Sequence, residues 1–378
     1  LIQRESADMI FYTAGTARLT INSTGNAQFT GIVTTTTGQF VTPNDTGSLA
    51  ARNKIDNGAM EISQRGGAEV TVNSSSNVYL LDRWVARSES GDAFLMDQDS
   101  SAPYGFKNSL KINCSTASSG GANELHTVTQ NIEGHNIADF GFGGASSRDI
   151  AVSFWVKSSL TGDFGFALQN SAQNRSYAVV YNIASANTWQ YVTKVIPGPT
   201  SGSWNNSNTI GLRLTFDLGC GSNFRGNANA WNSADDRGPS GAVSMMQTQN
   251  STWYVTGVQV EMGPAATPFE YRGYPQELIR CQRYYYKDTN TYGNAGWSYS
   301  MAGLDMPITQ TVKFPTNMRS TPSVTQTNTN FRDNNNNVES PNINSLTPYG
   351  HWYGIKKQGG GDLRMGFTFD NFVYNSEI

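Results

Sequence analysis

The side chains in this 378-residue chain best suited to chemistry are aromatic residues set in polar loops. Trp204 in "TSGSWNNSN" and Trp231 in "NANAWNSADDRG" stand among Asn, Ser and Gly. Trp297, Tyr299, Tyr349 and Trp352 flank Gly- and Asn-rich stretches nearer the end. An aromatic face can stack on the C–H groups of a sugar ring, while neighbouring amides and charges bond its hydroxyls. Loops also carry binding function more often than the elements they connect. These residue types point to carbohydrate binding without bond cleavage. A loop tryptophan can also fold over the rim of its own domain, and that alternative stays open for Trp204 and Trp231. Trp84, Trp155 and Trp189 lie in apolar strand contexts and are expected in or beside the core.

Cleavage chemistry finds less support. Glycoside hydrolysis needs two carboxylates roughly 5–10 Å apart across the bond. Glu133, Asp139, Asp217, Asp235 and Asp236 are candidates, but no spacing marks a catalytic pair. Asp235 and Asp236, in "SADDRGPSG", are expected in a solvated loop. No G-x-S-x-G elbow and no phosphate-cradling G-x-x-x-x-G-K-[ST] occurs. An enzyme is therefore not expected. His126, His135 and His351 form no metal-binding sequence pattern. The three cysteines, Cys114, Cys220 and Cys281, are odd in number and match no zinc spacing, so they read as free thiols made in a reducing cytosol. No cofactor is expected from the residues themselves.

Cys281 lies in "ATPFEYRGYPQELIRCQRYYYKD". A reactive thiol needs a lowered pKa and a nearby base. Arg280 and Arg283 flank Cys281, but no histidine is close in sequence. Pro275 suits a first helical position, and Leu278, Cys281 and Tyr285 make one apolar stripe. The stretch reads as a joint, with a helix of two to three turns near 275–286 and Tyr284–Tyr286 serving core and interface.

The elements that must position these residues are strands. Charged residues make up 15% of the chain, against about 25% in typical domains. "DIAVSFWVKSS", "IGLRLTFDLG" and "TWYVTGVQVEMG" are β-branched, aromatic and bounded by turn residues. The fold class is all-β, with three segments: 1–50, 51–273 and 274–378. The net charge of −3 offers no basic footprint for nucleic acid. No window approaches the roughly 18 apolar residues of a membrane span, so no membrane insertion is expected. Leu1–Ile21 alternates and carries Arg4, Glu5, Asp8 and Arg18, unlike a signal peptide.

Two resemblances add to this reading. "ADMIFYTAGTARLTINSTGNAQFTG" resembles repeats in the shafts of tailed-phage fibres. That implies a short intertwined β shaft, a homotrimer attached to the virion, and contact with other tail or baseplate proteins through residues 1–50. Residues 51–273 resemble jelly-roll carbohydrate-binding modules. The likeness lies in Asn57, Gly58 and Glu61, the Ser153–Lys157 strand, Trp189 and the strand ending at Glu261. "NGAMEISQRG", "LDRW" and "ATPFEYR" are similar to phage fibre tips. The modules often hold a calcium ion between first and last strands, which implies Glu61 and Glu261 as ligands. Thr256 and Gly257 stand where the modules usually carry an Asp pair, a departure that weakens this implication. Lys313–Val324 resembles terminal β domains of fibres, implying a smaller β-sandwich at 274–378. Met365, Phe367 and Phe369 would share one face of its final strand.

The function these resemblances imply is a phage receptor-binding protein that recognises host surface polysaccharide. Its alternatives are a decorating fibre without a sugar site and a depolymerase. A fibre directs its chain end outward, which favours the terminal aromatic loops over Trp204 and Trp231 as the receptor face.

Overall fold

The computed structural model describes residues 8–23, 27–29, 34–35, 38–39, 51–66, 68–73, 76–89, 91–288, 308–326, 330–332, 338–339, 342–355, 366–368 and 372–378. It is an all-β protein divided into two compact units, Leu1–Arg52 and Asn53–Ile378.

In the first unit, Met9–Thr13, Thr16–Ile21 and Ala27–Phe29 form a three-stranded antiparallel sheet. Ala14 and Gly15 close its hairpin with φ of 50° and 74°, the backbone twist that matches paired strands. Ile10, Phe11 and Tyr12 are consecutive and all exposed. Side chains alternate across a strand, so this small sheet shows apolar surface on both faces.

The second unit is built on a sandwich. One sheet has six strands in the order Gln190–Ile196, Ile150–Ser158, Thr252–Met262, Ser109–Thr116, Ala93–Asp99 and Val70–Val72. The other has seven: Trp231–Asn232, Ser176–Ile183, Gly162–Gln169, Ile210–Asp217, Thr127–Glu133, Trp84–Arg87 and Val78–Tyr79. The chain passes repeatedly between the two sheets, and all the pairings within them are antiparallel.

Period-two patterning sets the core. Val152, Phe154 and Val156 point inward from one sheet, and Phe164, Phe166, Leu168, Leu214 and Phe216 from the other; all are fully buried. Phe154 meets Phe166, Tyr181 and Phe216 nearly edge-on, with ring centroids 5.7, 5.2 and 5.2 Å away. Trp84 is buried at the same core, as expected from the sequence.

The "NG" at the start of this unit has a physical reason. Asn57 adopts φ 55°. Its side-chain amide donates to the Ile62 and Asp82 carbonyls, and its Oδ1 accepts from the Ile62 N–H. A Cβ on Gly58 would lie 2.3 Å from the Val258 carbonyl oxygen, so only glycine fits against that strand.

The helix spans Tyr274–Gln282 with proline in its first turn. It ends before Tyr285, which already belongs to the strand Tyr285–Asp288. That strand pairs with Phe372–Asn375, which also pairs with Ser323–Gln326. Phe314 packs 4.6 Å from Tyr374, and Tyr286 stacks on Tyr374 at 5.7 Å. The expected single final strand is instead two, Gly366–Thr368 and Phe372–Asn375, in different sheets. Met365 and Phe369 lie outside the described residues.

The terminal segment belongs to the same compact unit as the sandwich. Ion pairs to buried carboxylates join the two. Arg283 holds Glu133 at 2.6 Å and Arg280 holds Asp56 at 2.7 Å. Arg83, 2% exposed, pairs with Glu377 and lies 3.4 Å from the Tyr284 ring centroid. Asn131 donates to the Ile378 carbonyl.

Candidate functional site

The outward face of the six-stranded sheet carries the most concentrated binding chemistry. In Ile150–Ser158 the alternation that buries Phe154 and Val156 turns Trp155 and Lys157 outward, both half-buried. In the edge strand Gln190–Ile196, Val192 and Ile196 point inward, leaving Tyr191, Thr193 and Val195 exposed. Register places Trp155 beside Tyr191. It also places Tyr254 between Lys157 and Lys111, and Lys111 beside Asp97. Trp189 precedes the edge strand and reaches the same face.

The rings form two groups. Trp155 and Tyr191 lie 5.2 Å apart at 41°, and Trp189 and Tyr254 lie 6.2 Å apart at 70°. Lys157 Nζ sits 4.0 Å from the Tyr254 centroid and 5.1 Å from that of Trp189. It donates to Ser101 Oγ at 2.7 Å. Lys111 Nζ lies 3.4 Å from Asp99. Burial, reinforced by the like charge of Lys111, draws the Lys157 ammonium below the usual lysine range. Burial also opposes the charge on Lys111, but Tyr254 and Asp99 outweigh it and raise that pKa. The face thus offers stacking surfaces with fixed hydrogen-bonding groups of both signs beside them.

This corrects the expectation that Trp155 and Trp189 are core residues. The sequence signal was present, since Trp155 shares strand parity with Lys157 and not with Phe154. The apolar character of the run masked it.

The other half of the same face is covered. The strand Thr252–Met262 has an extra residue at Gly257, opposite Phe154, where the register shifts. Gly257 takes φ 61°, the left-handed conformation of a glycine bulge. Beyond it, Gln259 and Glu261 face outward but are buried beneath the segment containing Thr267 and Phe269. Phe106, Phe269 and Tyr271 cluster there, with centroids 4.9–5.3 Å apart. Glu261 Oε1 accepts from Gln259 Nε2 and the Thr267 N–H, and Oε2 from the Thr267 hydroxyl. Its carboxylate therefore pins the returning chain over the sheet. Glu61 is half-buried beside a small hollow shared with Asn53, Asn57, Tyr271 and Glu277.

Trp204 and Trp231, 27 positions apart in sequence, meet edge-on with centroids 5.6 Å apart. Phe142 joins Trp204 at 4.9 Å and Tyr177 joins Trp231 at 5.3 Å. Both indoles are half-buried against the core, and their N–H groups donate to the Ser201 and Pro197 carbonyls. They fold over the rim of the sandwich and leave part of their faces open. Tyr349 is 66% exposed. Trp352 lies in the strand Gly350–Ile355, and Trp297 and Tyr299 lie outside the described residues.

Each candidate acid is engaged. Asp139 pairs with Lys54 at 3.2 Å, Asp217 with Arg225 at 2.7 Å and Asp235 with Arg237 at 2.6 Å. Asp236, expected in a solvated loop, is buried and accepts from Ser176 Oγ and Asn232 Nδ2. The loop folds back across the seven-stranded sheet, where Pro239 lies against Gly165. The three cysteines are free and buried. Burial, then Asp82, Asp56 and Glu277, push the Cys281 thiol well up, the opposite of an activated nucleophile.

No protein-family model matches the chain. No curated protein matches it. Several solved structures are similar over about half of it. One is the enzymatically active domain of tailspike protein 4 from bacteriophage CBA120, with 12% identity, TM-score 0.30, and coverage of 56% of this chain and 21% of that one. The chain thus spans about a fifth of that protein's length. Another is the family 11 carbohydrate-binding module from Clostridium thermocellum, solved with a β-1,3-1,4-mixed-linked tetrasaccharide, with 12% identity, TM-score 0.25, and coverage of 55% and 99%. A third is TmCBM61, solved with β-1,4-galactotriose, with 8% identity, TM-score 0.28, and coverage of 56% and 99%.

Proposed function

We propose that the chain is a receptor-binding fibre protein of a tailed phage that holds host surface polysaccharide without cleaving it. The observation that carries the glycan-binding reading is the outward face of the six-stranded sheet. There Trp155, Tyr191, Trp189 and Tyr254 present rings beside Lys157, Lys111, Asp97 and Ser101. Exposed and half-buried rings beside fixed polar groups suit a sugar chain, whose rings offer C–H faces between rows of hydroxyls. The fibre part of the reading is supported by the shaft-like sequence motif in residues 7–31. The exposed Ile10–Phe11–Tyr12 run also supports it, because that apolar surface gains cover when three chains wrap together. In this reading the first unit joins other tail or baseplate proteins and the second faces the host.

The test is binding of the full chain to host polysaccharide by titration calorimetry. Tyr191→Ala and Trp155→Ala each remove one stacking face, worth about 1–2 kcal/mol, or roughly 5- to 30-fold in affinity. Light scattering on the same samples is expected to give a trimer. Loss of affinity confined to Trp204→Ala, Trp231→Ala or Tyr349→Ala would move the site to the sandwich rim or the terminal segment. Unchanged affinity in all five variants would remove the sugar site and leave a decorating fibre. Release of reducing ends would make the protein a depolymerase.

A further inference from the structure

Asp92, Glu124 and His126 lie away from the aromatic face and have no part in the proposed glycan site. Asp92 ends the crossing that leads from Trp84–Arg87 in one sheet to Ala93–Asp99 in the other. Glu124 and His126 immediately precede Thr127–Glu133. No spacing in the sequence joins the three, because 32 positions separate Asp92 from Glu124. The fold brings one ligand atom of each within 4.8 Å of the others.

The imidazole is fully buried, while the two carboxylates are 15% and 16% exposed. His126 Nε2 faces Asp92 Oδ2 at 3.5 Å and Glu124 Oε2 at 3.4 Å. These separations are long for N–H···O hydrogen bonds, which centre near about 2.9–3.0 Å. They match the spacing of neighbouring ligands around a tetrahedral ion, since two atoms each about 2.1 Å from zinc lie about 3.4 Å apart. The other ring nitrogen, Nδ1, lies 3.1 Å from Ser88 Oγ, the outer contact that fixes the orientation of a metal-binding imidazole. Ser118 bonds Glu124 and holds that carboxylate in place. The two carboxylates keep some contact with solvent.

We infer that Asp92, Glu124 and His126 form a binding site for a first-row divalent metal ion such as zinc, which takes both imidazole nitrogen and carboxylate oxygen as ligands. Calcium, which takes six to eight oxygen ligands, fits this donor set poorly. The ion would tie the crossing between the sheets to the start of a central strand.

Titrating the metal-free full chain with zinc is expected to show one ion bound per chain and a raised melting temperature, with no uptake of calcium at these residues. Asp92→Asn and Glu124→Gln change partly exposed groups and are expected to abolish uptake while leaving the metal-free melt nearly unchanged. A measurement on the unaltered chain stands beside them: of its three histidine ring signals in NMR, His126 alone should shift at one equivalent of zinc. No uptake by the unaltered chain would overturn the inference. So would uptake that survives both substitutions, or a shift at His135 or His351 in place of His126.

Discussion

Replacing Glu133 with Gln should loosen the joint between sandwich and terminal segment in a pH-dependent way. Glu133 is 2% exposed. Its oxygens accept from Arg283 Nη2 at 2.6 Å, Arg283 Nε at 2.9 Å and the Tyr284 hydroxyl at 2.7 Å. Breaking a fully buried pair costs about 3–5 kcal/mol. Here the Arg283 side chain is 32% exposed, so water compensates in part, and the expected loss is about 2 kcal/mol. Burial raises the pKa of Glu133, but the bonds from Arg283 and Tyr284 and the Arg283 charge prevail and lower it. A carboxyl with a depressed folded-state pKa contributes its stability above the unfolded value, about 4.3. That stability fades as pH falls through the folded value.

Urea unfolding of both proteins at a series of pH values from 7 downward reads this directly. The gap between them should be about 2 kcal/mol at neutral pH and should close below about pH 4.3, as the native carboxylate protonates. Arg283→Met in the Glu133→Gln background should add little, since the partners act as one unit. A gap under about 0.5 kcal/mol at pH 7, the scatter of ordinary surface changes, would refute the argument. A gap that persists unchanged into strong acid would refute it too.

Gly257→Ala should destabilise by about 1–3 kcal/mol. Its Cβ would fall 2.5 Å from the Phe106 ring at a backbone φ of 61°, and a thermal melt indistinguishable from that of the unaltered chain would show that the bulge relaxes freely. Added calcium should leave the melt unchanged through Glu61 and Glu261, because Gln259 and Thr267 already supply donors to both Glu261 oxygens. A calcium-dependent rise that disappears in Glu61→Gln would establish the shared ion instead.

The sequence alone determined the material of this protein. Low charge and β-branched, aromatic runs make strands, and their parity fixes which side chains face inward, as in Val152, Phe154 and Val156. Local chemistry was equally legible in the helix Tyr274–Gln282, with proline in its first turn. These features depend on neighbours within a few residues, and the chain order records those neighbours.

What tertiary structure decided is which distant residues meet. Trp155 is outward because a second sheet takes Phe154, and it becomes part of a platform because Gln190–Ile196 and Thr252–Met262 pair on either side. Glu261 follows the outward parity too, yet is buried because the chain returns over it. The bulge at Gly257 reverses the inward pattern midway along its strand, so simple alternation misplaces the residues beyond it. Asp92 finds Glu124 and His126 only where the chain crosses between sheets. In each case the deciding interaction is non-local, and register and chain return set it.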